Sequence, residues 1–130
     1  MRVLVIDDDR LTRWAAVRHL QGSSFTVTEA GSAEEAFAVM ASQSFDLVVS
    51  DVVLPGAGGV AVLVAARATQ PKAAVVLMTA HDEVLSREEA LKLGAVGLII
   101  KRPDMRWMEE ITAAALSLRS CARCSVFDEV

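Results

Sequence analysis

The sequence predicts an α/β protein built on one doubly wound, five-stranded parallel sheet with helices on both faces. Short apolar runs, each closed by a polar or turn residue, alternate with longer stretches carrying helix signals. The connections between the runs are a dozen or more residues long, which forces parallel pairing. The 130 residues, 53% hydrophobic and 23% charged, suffice for one core and are too few for two domains of ordinary size.

Five strands are readable. Val3-Leu4-Val5-Ile6 is apolar on both faces, as a buried parallel strand should be, and ends abruptly in Asp7-Asp8-Asp9. Phe25-Thr26-Val27-Thr28 alternates apolar and polar residues and reads as an edge. Leu47-Val48-Val49 stops at Ser50-Asp51, Ala74-Val75-Val76-Leu77-Met78 stops at Thr79, and Gly97-Leu98-Ile99-Ile100 stops at Lys101. Between them, Leu11, Trp14, Val17 and Leu20 recur every third residue in a first helix that stops at Gly22. Ser32 to Glu35 fits a capping box, after which Ala33, Ala36, Phe37 and Met40 make one buried stripe. Residues 59 to 68 are nearly all apolar, so that helix either packs on more than one side or offers an apolar face to a partner. A fourth helix is expected from Glu83 to Leu93, closed by Gly94. After Pro103, residues Met105, Met108, Ile111, Ala115 and Leu118 mark a fifth.

The right-handed crossover rule leaves few topologies for this order, and strand order 2-1-3-4-5, flavodoxin-like, is the expected one. There the winding reverses between the first and third strands, whose carboxyl ends flank the crevice where such sheets bind ligands. Asp7, Asp8 and Asp51 are expected to meet at that crevice, with Thr79 and Lys101 closing it from the fourth and fifth strand ends. Unit charges about 4 Å apart repel by roughly 1 kcal/mol in water, and more where water is partly excluded. A hard divalent cation offsets that repulsion: magnesium prefers oxygen ligands and commonly takes one or two carboxylates plus a phosphate oxygen. A hydroxyl, an ammonium and a metal around one carboxylate are the parts that stabilise a transferring phosphoryl group. With no glycine-rich loop to hold a nucleotide, the phosphoryl would land on the protein itself. Asp51, alone at its strand end and facing the Asp7-Asp8 pair, is the best placed acceptor.

Over about residues 1 to 118 the chain resembles the receiver domain of two-component response regulators. Val5 to Asp9 is similar to the family's acidic motif and Phe45 to Asp51 to its acceptor strand. Val52-Val53-Leu54-Pro55, with Gly59 after it, is similar to its turn, and Leu77 to Ala80 to its switch-threonine segment. Ala90 to Ala95 followed by Lys101 keeps the family spacing. The resemblance implies that Asp51 takes a phosphoryl group from the phosphohistidine of a sensor histidine kinase or phosphotransfer protein. The receiver would catalyse its own Mg2+-dependent aspartyl phosphorylation and dephosphorylation rather than turn over a substrate in the usual sense. Asp8, Asp51 and the Val53 backbone carbonyl would bind Mg2+, with Asp7 acting mainly through a bound water. Thr79 and Lys101 would each hold a phosphoryl oxygen. The output implied is a shift of the loops and helix near the fourth and fifth strands, read by an effector domain or downstream protein, with a homodimer formed on phosphorylation as a further option. Val53 and His81 occupy positions that tune phosphoryl lifetime in the family.

Three residues depart from the family pattern. Leu98 stands where Tyr or Phe is usual, so the aromatic rotamer switch is missing or replaced. The usual Lys-Pro pair is spread over Lys101-Arg102-Pro103. Either Lys101 is presented by a different loop shape or a cis peptide moves to Arg102-Pro103. Leu54 replaces the commoner Met.

Other features read more plainly. Aspartates at a helix start also serve as caps, which is the bland reading of Asp7 to Asp9. His19 and His81 read as solvated, and Trp14 and Trp107 as packing residues. The net charge of −4, from 17 acidic and 13 basic residues, argues against nucleic-acid contact by this domain. No apolar run approaches the roughly 18 to 20 residues of a membrane span, and Met1 leads straight into a strand, so a cytoplasmic protein is expected. Cys121 and Cys124 have the spacing of half a zinc site, but no second pair follows. Residues 1–120 are expected to form the receiver domain, and 121–130 a C-terminal tail or the start of a linker. The alternative function is a receiver-shaped interaction module that works without phosphorylation. A metal-dependent phosphatase would need a second acid where Val53 stands, and a dinucleotide enzyme a G-x-G-x-x-G after the first strand.

Overall fold

Strands and helices alternate along the described residues of a computed structural model, which are 1–22, 25–80, 85–104 and 106–123. The elements are β1 (Arg2–Ile6), α1 (Arg10–Gln21), β2 (Thr26–Ala30), α2 (Ala33–Ser42), β3 (Leu47–Asp51), α3 (Gly58–Thr69), β4 (Ala74–Thr79), α4 (Arg87–Leu93), β5 (Gly97–Ile100) and α5 (Trp107–Arg123). All pairings are parallel and the order is β2-β1-β3-β4-β5, so the expected topology holds and β2 is an edge.

Because successive strand residues point to opposite faces, each strand feeds two cores. Leu4, Ile6, Val48, Val75 and Leu77 face α2, α3 and α4, together with buried Ala36, Val62, Leu63, Ala66 and Ala90. Val3, Val5, Leu47, Val49, Val76 and Met78 face α1 and α5, where Leu20, Trp107 and Ile111 complete the layer. Leu98 is buried in the first of these cores. Each fully buried Val, Leu, Ile or Met among them contributes roughly 1.5–3 kcal/mol. Gln70 is a buried polar group with every need met: its amide nitrogen donates to the Met40 and Gln43 carbonyls and its oxygen accepts from the Phe45 N–H. It stitches the end of α3 to the chain between α2 and β3.

The helices differ from their sequence signals in instructive ways. In α1 the buried residues are Ala16, Val17 and Leu20, whereas Leu11 is 72% and Trp14 55% exposed. A three-residue repeat drifts around a 3.6-residue helix, so its first members rotate off the sheet. Trp14 is therefore not a packing residue; the Arg18 guanidinium lies 5.0 Å from its ring centroid. In α2 the Ser32 hydroxyl accepts from the Glu35 N–H as a capping box requires, but the Glu35 carboxylate reaches past Ser32 to the Gly31 N–H. The apolar α3 buries Gly59, Val62, Leu63 and Ala66 and leaves Val64 exposed. Helix α4 begins at Arg87, later than expected, behind a complete capping box of Ser86 and Glu89, and Gly94 ends it in the left-handed conformation that glycine favours. The expected helix start at Glu83, together with His81, Met105 and Cys124, lies outside the described residues.

Gly59 is where α3 meets the end of β3. A Cβ there would lie 2.8 Å from the Val52 Cα and inside contact distance of the Asp51 carbonyl oxygen. Both neighbours are backbone and cannot swing away. Gly59→Ala is expected to cost about 3 kcal/mol, seen as a lowered urea midpoint with an unchanged slope. An unchanged midpoint would show that α3 can slide off the strand end without loss.

Candidate functional site

The register of the sheet brings the expected residues to one level. Ile6 pairs with Ser50, so Asp7 follows beside Asp51; Asp51 pairs with Met78, so Thr79 follows; and Thr79 pairs with Ile100, so Lys101 follows. Ser50, Asp51 and Thr79 belong to the strands themselves, which run further than their apolar stretches. Asp7, Asp51 and Thr79 are all buried, at 1%, 7% and 1% exposure.

Lys101 holds this cluster together. Its Nζ donates to Asp7 Oδ2 at 2.9 Å and to Asp51 Oδ2 at 2.6 Å, and its backbone N–H donates to the Thr79 carbonyl at 2.8 Å. No cis peptide bond occurs among the described residues, so Lys101-Arg102-Pro103 presents the ammonium without one. The other Asp51 oxygen, Oδ1, accepts from the Val53 N–H at 3.1 Å. Val53 itself has an exposed side chain just beyond β3.

The three consecutive aspartates have separate tasks. Asp9 is the cap of α1: its carboxylate accepts from the Leu11 N–H and the Thr12 hydroxyl. The Thr12 bond, foremost, pulls the Asp9 pKa below its usual value. Asp7 turns inward to Lys101 and also accepts from the Asp9 N–H at 2.9 Å. Asp8 is exposed and faces the same crevice, and one carboxylate oxygen from each of Asp7, Asp8 and Asp51 lies within 4.8 Å of the others. The donors are all hard oxygens gathered around one crevice, and Mg2+ takes such carboxylates together with several waters, so the chemistry of the set fits Mg2+. Two neighbours were not foreseen as site residues. Arg13 donates through Nη1 to the Asp7 carbonyl, and the Trp107 ring lies 5.9 Å from the Lys101 ammonium. A lone arginine in an amphipathic helix carries no spacing signal that would have flagged it.

Burial dominates at Asp7, disfavouring its charged form, and the pKa is raised even though the Lys101 bond pulls it down. At Lys101 burial disfavours the ammonium, but the hydrogen bonds and charges of Asp51 and Asp7 outweigh it, so its pKa is raised. The two directions agree on one picture: the lysine gains from the pair of acids, while Asp7 loses more by leaving water than one shared ammonium restores. Since the folded pKa of Asp7 lies above the unfolded one, its ionised form opposes folding at neutral pH. That opposition fades as pH falls through the folded value. Asp7→Asn is therefore expected to raise the cation-free thermal midpoint by a few degrees at pH 7, with the gain shrinking in acid. A variant that melts lower than wild type at pH 7 would show that the Lys101 bond outweighs burial.

Comparisons with known proteins point to one family. The family model described as response regulator receiver domain matches residues 3–113. The DNA-binding transcriptional regulator NtrC of Salmonella typhimurium is 32% identical over 115 residues, which are 88% of this chain and 24% of that protein. The response regulator protein FleR of Pseudomonas aeruginosa is 35% identical over 112 residues, 86% of this chain and 24% of that protein. The chain thus spans about a quarter of the length of these curated relatives. Among solved structures, the response regulator TrrA of Thermotoga maritima, in complex with Mg(2+)-BeF, superposes with a TM-score of 0.77 at 26% identity, covering 90% of this chain and 97% of that one. The signal receiver domain of the putative response regulator NarL from Mycobacterium tuberculosis gives 0.75 at 33%, covering 89% and 93%. No helix among the described residues is long and apolar enough to cross a membrane. With the acidic crevice, the strand-end lysine and threonine, and the family match over most of its length, the chain belongs to the receiver domains of two-component response regulators.

Proposed function

We propose that Asp51 is the phosphoacceptor and that Asp7, Asp8, Asp51 and the Val53 backbone carbonyl hold Mg2+ beside it. The observation that carries this reading is the Lys101 ammonium bridging Asp51 and Asp7 at the mouth of a crevice that Asp8 also faces. A bound Mg2+ would neutralise charge on the transferring phosphoryl oxygens.

The rest is done by side chains of this chain. Held by Lys101 and the Val53 N–H, the Asp51 carboxylate presents an oxygen to the phosphorus of a kinase phosphohistidine. A P–O bond forms, the P–N bond breaks, and the electron pair leaves on the imidazole nitrogen, which takes a proton from solvent. Lys101 then exchanges carboxylate oxygens for a phosphoryl oxygen, and the Thr79 hydroxyl donates to another. Such preorganised donors stabilise charge without reorganising during the step. Attack of water on the phosphorus breaks the bond to the Asp51 oxygen, releasing inorganic phosphate and returning the free carboxylate.

Receiver domains partner with histidine kinases and effector domains. For this chain a sensor kinase or phosphotransfer protein upstream and an effector or downstream protein are proposed, with dimer formation on phosphorylation a further element of the reading. Relatives that act as transcriptional regulators support a cytoplasmic place of action. Residues 1–120 are proposed as the receiver unit and 121–130 as a tail or linker start.

Incubation with acetyl phosphate and Mg2+, followed by intact mass, tests the acceptor: wild type gains one phosphoryl group and Asp51→Asn gains none. Equal gain in both would reject Asp51. Separately, Asp8→Ala is expected to weaken Mg2+ binding at least about tenfold by calorimetric titration, and an unchanged isotherm would remove Asp8 from the cation site.

A further inference from the structure

Asp7 and Asp9 are each fixed through their side chains, Asp7 by Lys101 and Asp9 by the start of α1. Asp8 is not: its side chain is exposed, and among the described residues no hydrogen bond holds its carboxylate. Its aim is therefore set by the peptide units on either side. The unit after it is tied down by the Asp9 N–H donating to Asp7 Oδ1 at 2.9 Å. The unit before it is tied down by Arg13, whose Nη1 donates to the Asp7 carbonyl at 2.6 Å.

Arg13 is itself anchored. Its Nε donates to Glu29 Oε1 at 2.8 Å, and Glu29 sits on β2 opposite Val5 of β1. The arginine side chain is only 17% exposed. A Cβ on Gly31 would come within 3.1 Å of Nη1, so the missing side chain there leaves room for the guanidinium. The fork thus joins three elements: α1, which carries it, the end of β1, and the edge strand β2. A planar guanidinium serves two acceptors at fixed angles, whereas an ammonium on a flexible stem is a point charge that cannot reproduce both.

We infer that Arg13 is a positioning residue for the cation site, orienting the Asp7-Asp8 peptide and through it the Asp8 carboxylate. This rests on the Mg2+ reading of Asp7, Asp8 and Asp51 proposed above. Arg13 acts on the site through the Asp7 carbonyl, and a guanidinium, itself cationic and a donor only, cannot ligate the cation. Its loss should change how much Mg2+ is needed and leave the chemistry at full occupancy intact.

The test is Mg2+ titration of the full chain by calorimetry, paired with initial phosphorylation rates from acetyl phosphate across Mg2+ concentrations. For Arg13→Met, the dissociation constant and the half-saturating Mg2+ concentration should both rise about tenfold, while the rate at saturating Mg2+ stays within about twofold of wild type. Arg13→Lys should fall between the two. Wild-type Mg2+ affinity in a folded Arg13→Met, or a lowered plateau with unchanged half-saturation, overturns the inference. Should Arg13→Met lose its native circular dichroism, Glu29→Gln decides instead. It frees the outer anchor, and Mg2+ binding should weaken by about two- to threefold; an unchanged constant overturns the inference. A wild-type chain that takes up no Mg2+ removes the cation reading as well, which separates that failure from this one.

Discussion

One ammonium makes the carboxyl edge of this sheet tenable. Lys101 stands 2.9 Å from Asp7 and 2.6 Å from Asp51, and without it two almost fully buried acids would face each other across a gap that water barely enters. Its presence settles only part of the conflict, since burial still lifts the Asp7 pKa. Loss of Lys101 would leave both acids without their counter-charge, whereas neutralising Asp7 leaves the ammonium still paired with Asp51. The remainder is an unfavourable buried charge that a nearby cation would relieve. A buried carboxylate left short of counter-charge costs stability, and the packed scaffold offsets that cost.

The scaffold supplies that offset through two apolar layers. Alternation along β1, β3 and β4 sends one set of side chains to α2, α3 and α4 and the other to α1 and α5. With both faces sealed, the polar ends of the strands have nowhere to go but the edge where the winding reverses, and parallel pairing puts them at one height. A slip of one residue in β3 would move Ser50 to the place of Asp51 and invert which core every other residue serves. Register and chemistry are thus specified by the same hydrophobic pattern.

That coupling explains what was legible in the sequence. Strand order, the edge character of β2 and the meeting of Asp7, Asp8, Asp51 and Lys101 follow from apolar periodicity and from where each run stops. Less legible features depend on tertiary packing. The extension of β3 and β4 into polar residues reflects hydrogen bonding to neighbours, which composition does not encode. Trp14 and Leu11 look like core by spacing and lie outside because only part of α1 meets the sheet. The start of α4 was available in the Ser86-Arg87-Glu88-Glu89 pattern and is a signal overlooked rather than absent. The division of labour among three adjacent aspartates could not be read locally, since it depends on Lys101, 94 residues from Asp7.

The backbone N–H of Lys101 bonds the Thr79 carbonyl, so the lysine is placed from the strand side, by β4, before the chain turns away toward α5. Whatever follows inherits freedom from that arrangement. Arg102 and Pro103 follow only after that bond has been made. The turn beyond Lys101 is therefore not what aims the ammonium: the Thr79 carbonyl and the carboxylates of Asp7 and Asp51, which seat it, all lie at the ends of other strands.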